Sequence, residues 1–192
     1  MTPSDLPADP VAPAESGTGE GAGDVPARRG TSRLIWVVLG VAALVWVLDR
    51  VTKLLAIEHL KGRPPVQVVG EWLQLTYVEN TGAAFSLGTG MTVVFTIIAI
   101  VVVVVILRTS RKLGSVGWAI ALGGLLGGAL GNLTDRLTRE PGFGRGSVVD
   151  FIALPNYPVF NVADMAVVGA AILMIVLALR GIEIDGSRAG AR

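Results

Sequence analysis

Two aspartates, Asp150 and Asp164, are separated by 13 residues, and the second opens an apolar run from Val162 to Leu179 that is long enough to cross a membrane. A carboxylate near the mouth of a hydrophobic helix costs up to about 2.5–3.5 kcal/mol at mid-bilayer and less near the edge, so a functional role is the first hypothesis for it. Two carboxylates held side by side do not both ionise comfortably, and they share a proton. One then acts as a base on water while the other donates to a carbonyl oxygen or a leaving group. The pair titrates as a unit. This is aspartic-protease chemistry, and it requires no metal, thiol or histidine. The chain has no cysteine, which excludes disulfides, thiolate metal sites and a cysteine nucleophile, and its one histidine, His59, leaves no material for a Ser-His-Asp triad or a His-rich metal site.

Other polar residues stand at comparable places: Asp49, Asn80, Asn132, Asp135, Arg136 and Asn161. All but Asn80 also have a purely structural reading. Asn161 can be the N-cap of the last helix with Asp164 at its third position, against the positive end of the dipole. Asp150 can be a solvated loop carboxylate. Asn132, Asp135 and Arg136, spaced i, i+3 and i+4, can form a polar cluster at a helix end. Asp49 can simply pair with Lys53 at i+4, and His59 reads as an interfacial surface residue. Asp49-Arg50-Val51-Thr52 and Asp135-Arg136-Leu137-Thr138 look alike, each closing a helix.

The elements that must position these residues are read from hydropathy. At 52% hydrophobic and 16% charged, the 192-residue chain has the profile of an integral membrane protein. A net charge of +1 gives no basic surface for nucleic acid. Leu34 to Leu48 is an unbroken apolar run of 15 residues; extended to Ile57 it reaches the roughly 20 residues that cross a ~30 Å core. At ~1.5 Å per residue, Asp49 lies about 22 Å along it. Arg50 and Lys53 can snorkel outward from there, whereas Asp49 must face protein or water. Met91 to Leu107, Val116 to Leu133 and Val162 to Leu179 are the other spans. Gly123, Gly127 and Gly131 are four apart, as are Gly124 and Gly128, rows that let helices approach closely. Gly62-Arg63-Pro64-Pro65 is a break, and Val66 to Val78 alternates like a small sheet on the membrane surface, with Trp72 as an interface anchor. Residues 134–160 read as a loop.

Residues 1–30, rich in Pro, Gly, Ala and acid, read as a disordered cytoplasmic tail. Arg28-Arg29 resembles the start of a signal peptide, but the run that follows is too long and lacks a cleavage site, so it reads as a retained span. Residues 31–181 then form one four-helix membrane domain, and 182–192 a cytoplasmic C-terminal tail. Arg28, Arg29, Arg33, Arg108, Arg111, Lys112 and Arg180 fall on one side, which the positive-inside rule makes cytoplasmic. With four spans and both termini inside, every unusual polar residue falls on the opposite, outer face.

Asp49…Lys53, Asn80-x-Gly82-Ala83-Ala84-Phe85, Gly131-Asn132-x-x-Asp135-Arg136, Val149-Asp150-Phe151 and Phe160-Asn161-x-Ala163-Asp164, in this order, resemble the motifs of bacterial lipoprotein signal peptidases, the signal peptidase II family, over residues 34–180. The resemblance implies an all-α polytopic protein of the inner membrane, with four transmembrane helices, an extracytoplasmic β-sheet or cradle, and a short mobile surface helix near Glu58 to Pro65. It implies an aspartic endopeptidase that cuts prolipoproteins just before a diacylglyceryl-modified cysteine. Asp150 and Asp164 would be the catalytic dyad, and Asn132 and Asn161 would position it. Asn80 and Arg136 would hold the substrate backbone. Asp49 and Asp135 would support the site, with Lys53 and Gly82 from the same motifs. No metal or cofactor is implied. The expected partners are diacylglyceryl-modified prolipoproteins and membrane lipid, with the enzyme a monomer. Phe85 and Phe151 are expected to line an apolar groove for lipid. Three competing readings are a small transporter with a carboxylate proton relay, a lipid-phosphate hydrolase with Mg²⁺ held by Asp49, Asp135, Asp150 and Asp164, and a structural adaptor. The transporter reading lacks a polar path across the membrane and a broken-helix pair in matching halves.

Overall fold

The computed structural model describes residues 29–82 and 91–188. In chain order the elements are α1 (Arg29–Leu60), β1 (Val66–Val69), β2 (Leu73–Asn80), α2 (Met91–Thr109), a 3-10 turn (Ser110–Lys112), α3 (Val116–Thr138), β3 (Val148–Ala153) and α4 (Val162–Leu179). Each of the four helices is long and apolar enough to cross a membrane. A helix satisfies its own backbone polar groups, which lipid cannot do, so an apolar run of this length folds as one. Residues 1–28 of the expected N-terminal tail and the Ala83-Ala84-Phe85 part of the second motif lie outside the described residues, whereas Arg29 and Gly30, expected to belong to that tail, begin α1.

α3 is the central helix. Half of its spanning window is buried, against 17% for each of the other three. Its glycine rows explain this, because they face two different neighbours. A Cβ on Gly123 or Gly127 would lie 2.8 Å from the Val38 carbonyl oxygen or 2.7 Å from that of Ala42, both on α1. A Cβ on Gly128 would lie 2.5 Å from the Ala163 carbonyl oxygen on α4. Lipid offers helices no hydrophobic reason to associate, so close backbone packing of this kind does that work. The outward faces carry exposed Leu44, Ile98, Val101, Val105, Ile172 and Ile175, as a lipid-facing surface would.

The sheet is antiparallel in the order β1-β2-β3 and sits at the end of the bundle where α1 and α3 finish and α4 begins. β3 corrects the reading of 134–160 as a loop: Val148–Ala153 pairs with β2, with Asn80 opposite Val148 and Val78 opposite Asp150. Asp150 therefore stands on a strand. The sequence hid this because four consecutive residues, Val148 to Phe151, are buried, which erases the alternation that marks a half-exposed strand. The surface helix expected at Glu58 to Pro65 is also corrected. Glu58 to Leu60 is the last turn of α1, kept helical because Ala56 and Leu60 bury against Val149 and Phe151. Gly62, at φ +72°, and the prolines after it end the helix. Lys61 then meets Glu79 at 3.1 Å, and the Tyr77 hydroxyl donates to the same carboxylate at 2.6 Å. The hydroxyl first and the ammonium second hold Glu79 below the usual carboxylate range.

Beyond α4 the chain folds back on the start of α3. Gly114 N–H donates to the Ile184 carbonyl at 2.9 Å, and the Trp118 indole N–H donates to that of Ile182 at 2.8 Å.

Candidate active site

The fold gathers the polar residues of five elements at one end. Asp150 comes from β3 and is 2% exposed; Asp164 comes from the first turn of α4 and is half-buried. Asn161 links them. It is the N-cap of α4, and a complete capping box joins it to Asp164: Asp164 N–H donates to Asn161 Oδ1 at 3.0 Å, and Asn161 N–H donates to Asp164 Oδ2 at 3.1 Å. The same Asn161 donates from Nδ2 to Asp150 Oδ1 at 2.6 Å. The capping role read from the sequence thus coexists with a bridge between the two carboxylates.

Two more asparagines complete the set. Asn80 at the end of β2 donates from Nδ2 to Asp150 Oδ2 at 2.9 Å, and Asn132 on α3 donates to Asp164 Oδ1 at 2.8 Å. All four carboxylate oxygens of Asp150 and Asp164 therefore accept a hydrogen bond from an amide. Gly82 enters through its backbone: its N–H donates to Asn80 Oδ1 at 2.8 Å, and at φ +83° the position suits glycine.

Desolvation dominates at Asp150 and pushes its pKa up to about 6; the Asp164 charge adds to the rise, while the hydrogen bonds from Asn80 and Asn161 oppose it. Arg136 on α3 is close enough to interact electrostatically with both carboxylates. It lies over the Phe95 ring at 5.5 Å, and its Nη1 has no hydrogen-bond partner among the described residues.

Behind this layer lies a buried ion cluster. Lys53 Nζ meets Asp49 at 2.8 Å, Asp135 at 3.0 Å and Asn132 Oδ1 at 2.9 Å, with Asp49, Lys53 and Asp135 each 0% exposed. Arg50 and Arg139 add contacts to Asp135 at 2.5 and 2.7 Å. The two look-alike motifs have matching duties here. Asp49 accepts the Ala163 N–H at 3.0 Å, one residue before Asp164, and Asp135 accepts the Val149 N–H at 3.3 Å, one residue before Asp150. The pairing of Asp49 with Lys53 was legible at i+4. The contacts of Arg50 and Lys53 with α3 span 85 and 79 residues and had no local signal. Arg139, four residues after Asp135, was detectable by spacing and was missed.

No group of three or more Asp, Glu, His or Cys among the described residues is arranged to hold a metal ion. Asp49 and Asp135 face cations and do not join Asp150 and Asp164 in a four-carboxylate cage. His59 is exposed, with its ring bonded to the Leu55 carbonyl in its own helix.

Among the described residues, two grooves reach the aspartates. One, about 420 Å³, runs from Asp164 down α4 past Met165, Val168 and Ile172, with Tyr157 and Phe160 on its other wall. The other, about 320 Å³, opens at Asp150 between Asn80 and Thr81 on one side and Pro158 and Val159 on the other. Phe151 lines neither. It follows Asp150 on a strand, so it faces the other way, into an apolar groove with Leu55, Ala56 and Leu60 of α1. Phe85 lies outside the described residues.

Residues 41–180 match the family model described as signal peptidase (SPase) II. The chain is 49% identical over 182 residues to the lipoprotein signal peptidase of Streptomyces griseus, covering 93% of each chain. It is 47% identical over 178 residues to that of Mycobacterium tuberculosis, covering 93% of this chain and 87% of the relative. Among solved structures it resembles a bacterial membrane enzyme determined by the in meso method at 1.9 Å, with TM-score 0.67 and 31% identity over 76% of this chain and 94% of that one.

Proposed function

This chain belongs to the signal peptidase II family, and from that premise we propose that it is an aspartic endopeptidase that removes signal peptides from prolipoproteins immediately before a diacylglyceryl-modified cysteine. One observation carries the aspartic assignment: the four oxygens of Asp150 and Asp164 are each held by an amide donor, with Asn161 bonded to both residues. A pair held this way is oriented before substrate arrives, which is what general acid–base catalysis requires.

Asp150, the more deeply buried of the two, holds the shared proton, and Asp164 at the groove mouth takes a proton from water as its oxygen attacks the scissile carbonyl carbon. Asp150 gives its proton to the carbonyl oxygen. When the tetrahedral intermediate collapses, the C–N bond breaks, the proton on Asp164 passes to the leaving amine, and a hydroxyl of the intermediate returns its proton to Asp150 as the C=O bond re-forms. Nη1 of Arg136, without a hydrogen-bond partner among the described residues, and the amide of Asn80 flank this centre as donors to substrate carbonyls. The apolar groove down α4 takes lipid or signal-peptide side chains. Asp49, Asp135, Lys53, Asn132 and Gly82 support the dyad.

Arg108 and Arg180 close α2 and α4 at the end of the bundle opposite the site. The positive-inside rule then puts both termini in the cytoplasm and the dyad near the outer face of the cytoplasmic membrane, working as a monomer. The test is cleavage of a diacylglyceryl-modified prolipoprotein peptide by purified protein, with and without chelator. The expected result is a cut before the modified cysteine that chelator does not affect, and a loss of about 10²–10⁴-fold or more in folded Asp150→Asn and Asp164→Asn. Loss of cutting in chelator would transfer the carboxylates to a metal mechanism, and folded Asn variants that still cut would remove them from catalysis.

A further inference from the structure

Asparagine positions a carboxylate only if its nitrogen, and not its oxygen, faces that carboxylate. The two ends of the amide have nearly the same shape, so something must hold the oxygen. In two of the three asparagines the holding group is local. Asn80 Oδ1 accepts the N–H of Gly82, two residues on, and Asn161 Oδ1 accepts the N–H of Asp164, three residues on. Asn132 sits within α3, where backbone N–H groups are committed to the helix. Its Oδ1 is held from other helices: by the Lys53 ammonium at 2.9 Å and by Asn161 Nδ2 at 3.1 Å. Asn161 Nδ2 has two hydrogens for three acceptors, Asp150 Oδ1 at 2.6 Å, Asn132 Oδ1 at 3.1 Å and the Val149 carbonyl at 3.4 Å, and the shortest contact is to Asp150. The lysine is therefore the dedicated, charge-assisted partner.

We infer that Lys53 is a positioning residue whose ammonium fixes the amide of Asn132 so that nitrogen faces Asp164. The inference rests on the dyad reading above and deepens it. A lysine that only balanced the two buried carboxylates would need no contact with Asn132. Here one fully buried ammonium has three partners, and the third leads directly to a dyad carboxylate through the Asn132 Nδ2 contact of 2.8 Å. Without it, only the longer, shared contact from Asn161 opposes a turn of the amide that would bring its oxygen toward Asp164, put two acceptors face to face and strip that carboxylate of a donor. Asp49, Asp135 and Arg136 also surround this cluster, so the test must keep the local charge unchanged.

Lys53→Met/Asp49→Asn removes one charge of each sign, and Asn at 49 still offers an oxygen to the Ala163 N–H. It is compared with wild type, whose local charge it keeps, and with Asp49→Asn alone, in the full-length protein, on the diacylglyceryl-modified peptide. The expected result is a folded double variant whose kcat is about 10²-fold below that of Asp49→Asn, the scale on which a small misplacement acts, with KM within about threefold. Adding Asn132→Ala to the double variant should then cost little more, whereas in Asp49→Asn it should cost most of that factor. Equal kcat in the double variant and Asp49→Asn, or full additivity with Asn132→Ala, overturns the positioning role and leaves the function reading intact. A double variant that does not fold also overturns it, since the fold is then what Lys53 serves. A wild-type protein that does not cut overturns the function reading, and this inference with it.

Discussion

At Asp150 burial and hydrogen bonding pull against each other. Burial raises its proton affinity to about 6, and Asn80 and Asn161 moderate that rise by donating to the charged form. In the proposed mechanism the pair works with one proton, so the sign follows directly: as pH rises through the value at which that proton is lost, the rate falls. In a pH profile, kcat/KM, which reports the free enzyme, is expected to decline on its alkaline side with an apparent pKa near 6. Asn80→Ala removes one of the moderating bonds, so it should move that limb to higher pH as well as lower the rate. A limb that stays in place or moves down would mean that Asn80 does not act on this carboxylate. The residues at this scale were largely legible in the sequence, because a carboxylate or amide beside an apolar run is costly and therefore conspicuous. What was not legible is which amide meets which oxygen. Asn80 and Asp150 are 70 residues apart, and Asn132 and Asp164 are 32 apart.

Among the elements, α3 has the central part, and its glycines are not equivalent. A Cβ on Gly127 would meet the Ala42 carbonyl oxygen at 2.7 Å, and one on Gly128 would meet that of Ala163 at 2.5 Å. Both contacts are with backbone, which cannot rotate away. On Gly124 the nearest atom, the Ala170 Cβ, is at 3.6 Å, an ordinary contact. Gly127→Ala and Gly128→Ala are therefore expected to cost about 1–3 kcal/mol each by overpacking. Gly124→Ala should be neutral or stabilise by up to about 1 kcal/mol through helix propensity. Thermal unfolding in detergent checks the order, and a Gly124→Ala variant as damaged as the other two would contradict the packing assigned to the two rows. Gly128→Ala should also reduce activity, because Ala163 adjoins Asp164. The four helices were readable because length and hydropathy mark a span without reference to neighbours. β3 was not, because a strand buried along most of its length has no period and its partner β2 lies about 70 residues earlier.

For the whole molecule, the arrangement of charge and the arrangement of the site make one joint statement. The helices alternate in direction, so the ends bearing Arg108 and Arg180 lie together, opposite the end bearing the aspartates. The C-terminal turn at 182–188, hydrogen-bonded to Gly114 and Trp118 at the start of α3, lies at the cationic end. β1, whose four residues are all exposed, lies at the aspartate end. If the positive-inside rule governs, these two places are on opposite sides of the membrane. The chain contains no cysteine, so one introduced thiol reports one position without background. Gln67→Cys on β1 and Ser187→Cys on the C-terminal turn replace exposed, uncharged residues and leave the charge asymmetry untouched. In intact cells, a membrane-impermeant maleimide is expected to label the thiol at 67 and to reach the one at 187 only after permeabilisation. The reverse pattern would put the aspartates on the cytoplasmic face, where a peptidase acting on exported precursors has no substrate. Labelling of both from outside would break the four-span topology. Only the expected pattern lets the proposed water-requiring dyad, the apolar groove down α4 and the lipid-anchored substrate proposed for it meet at one depth of one leaflet.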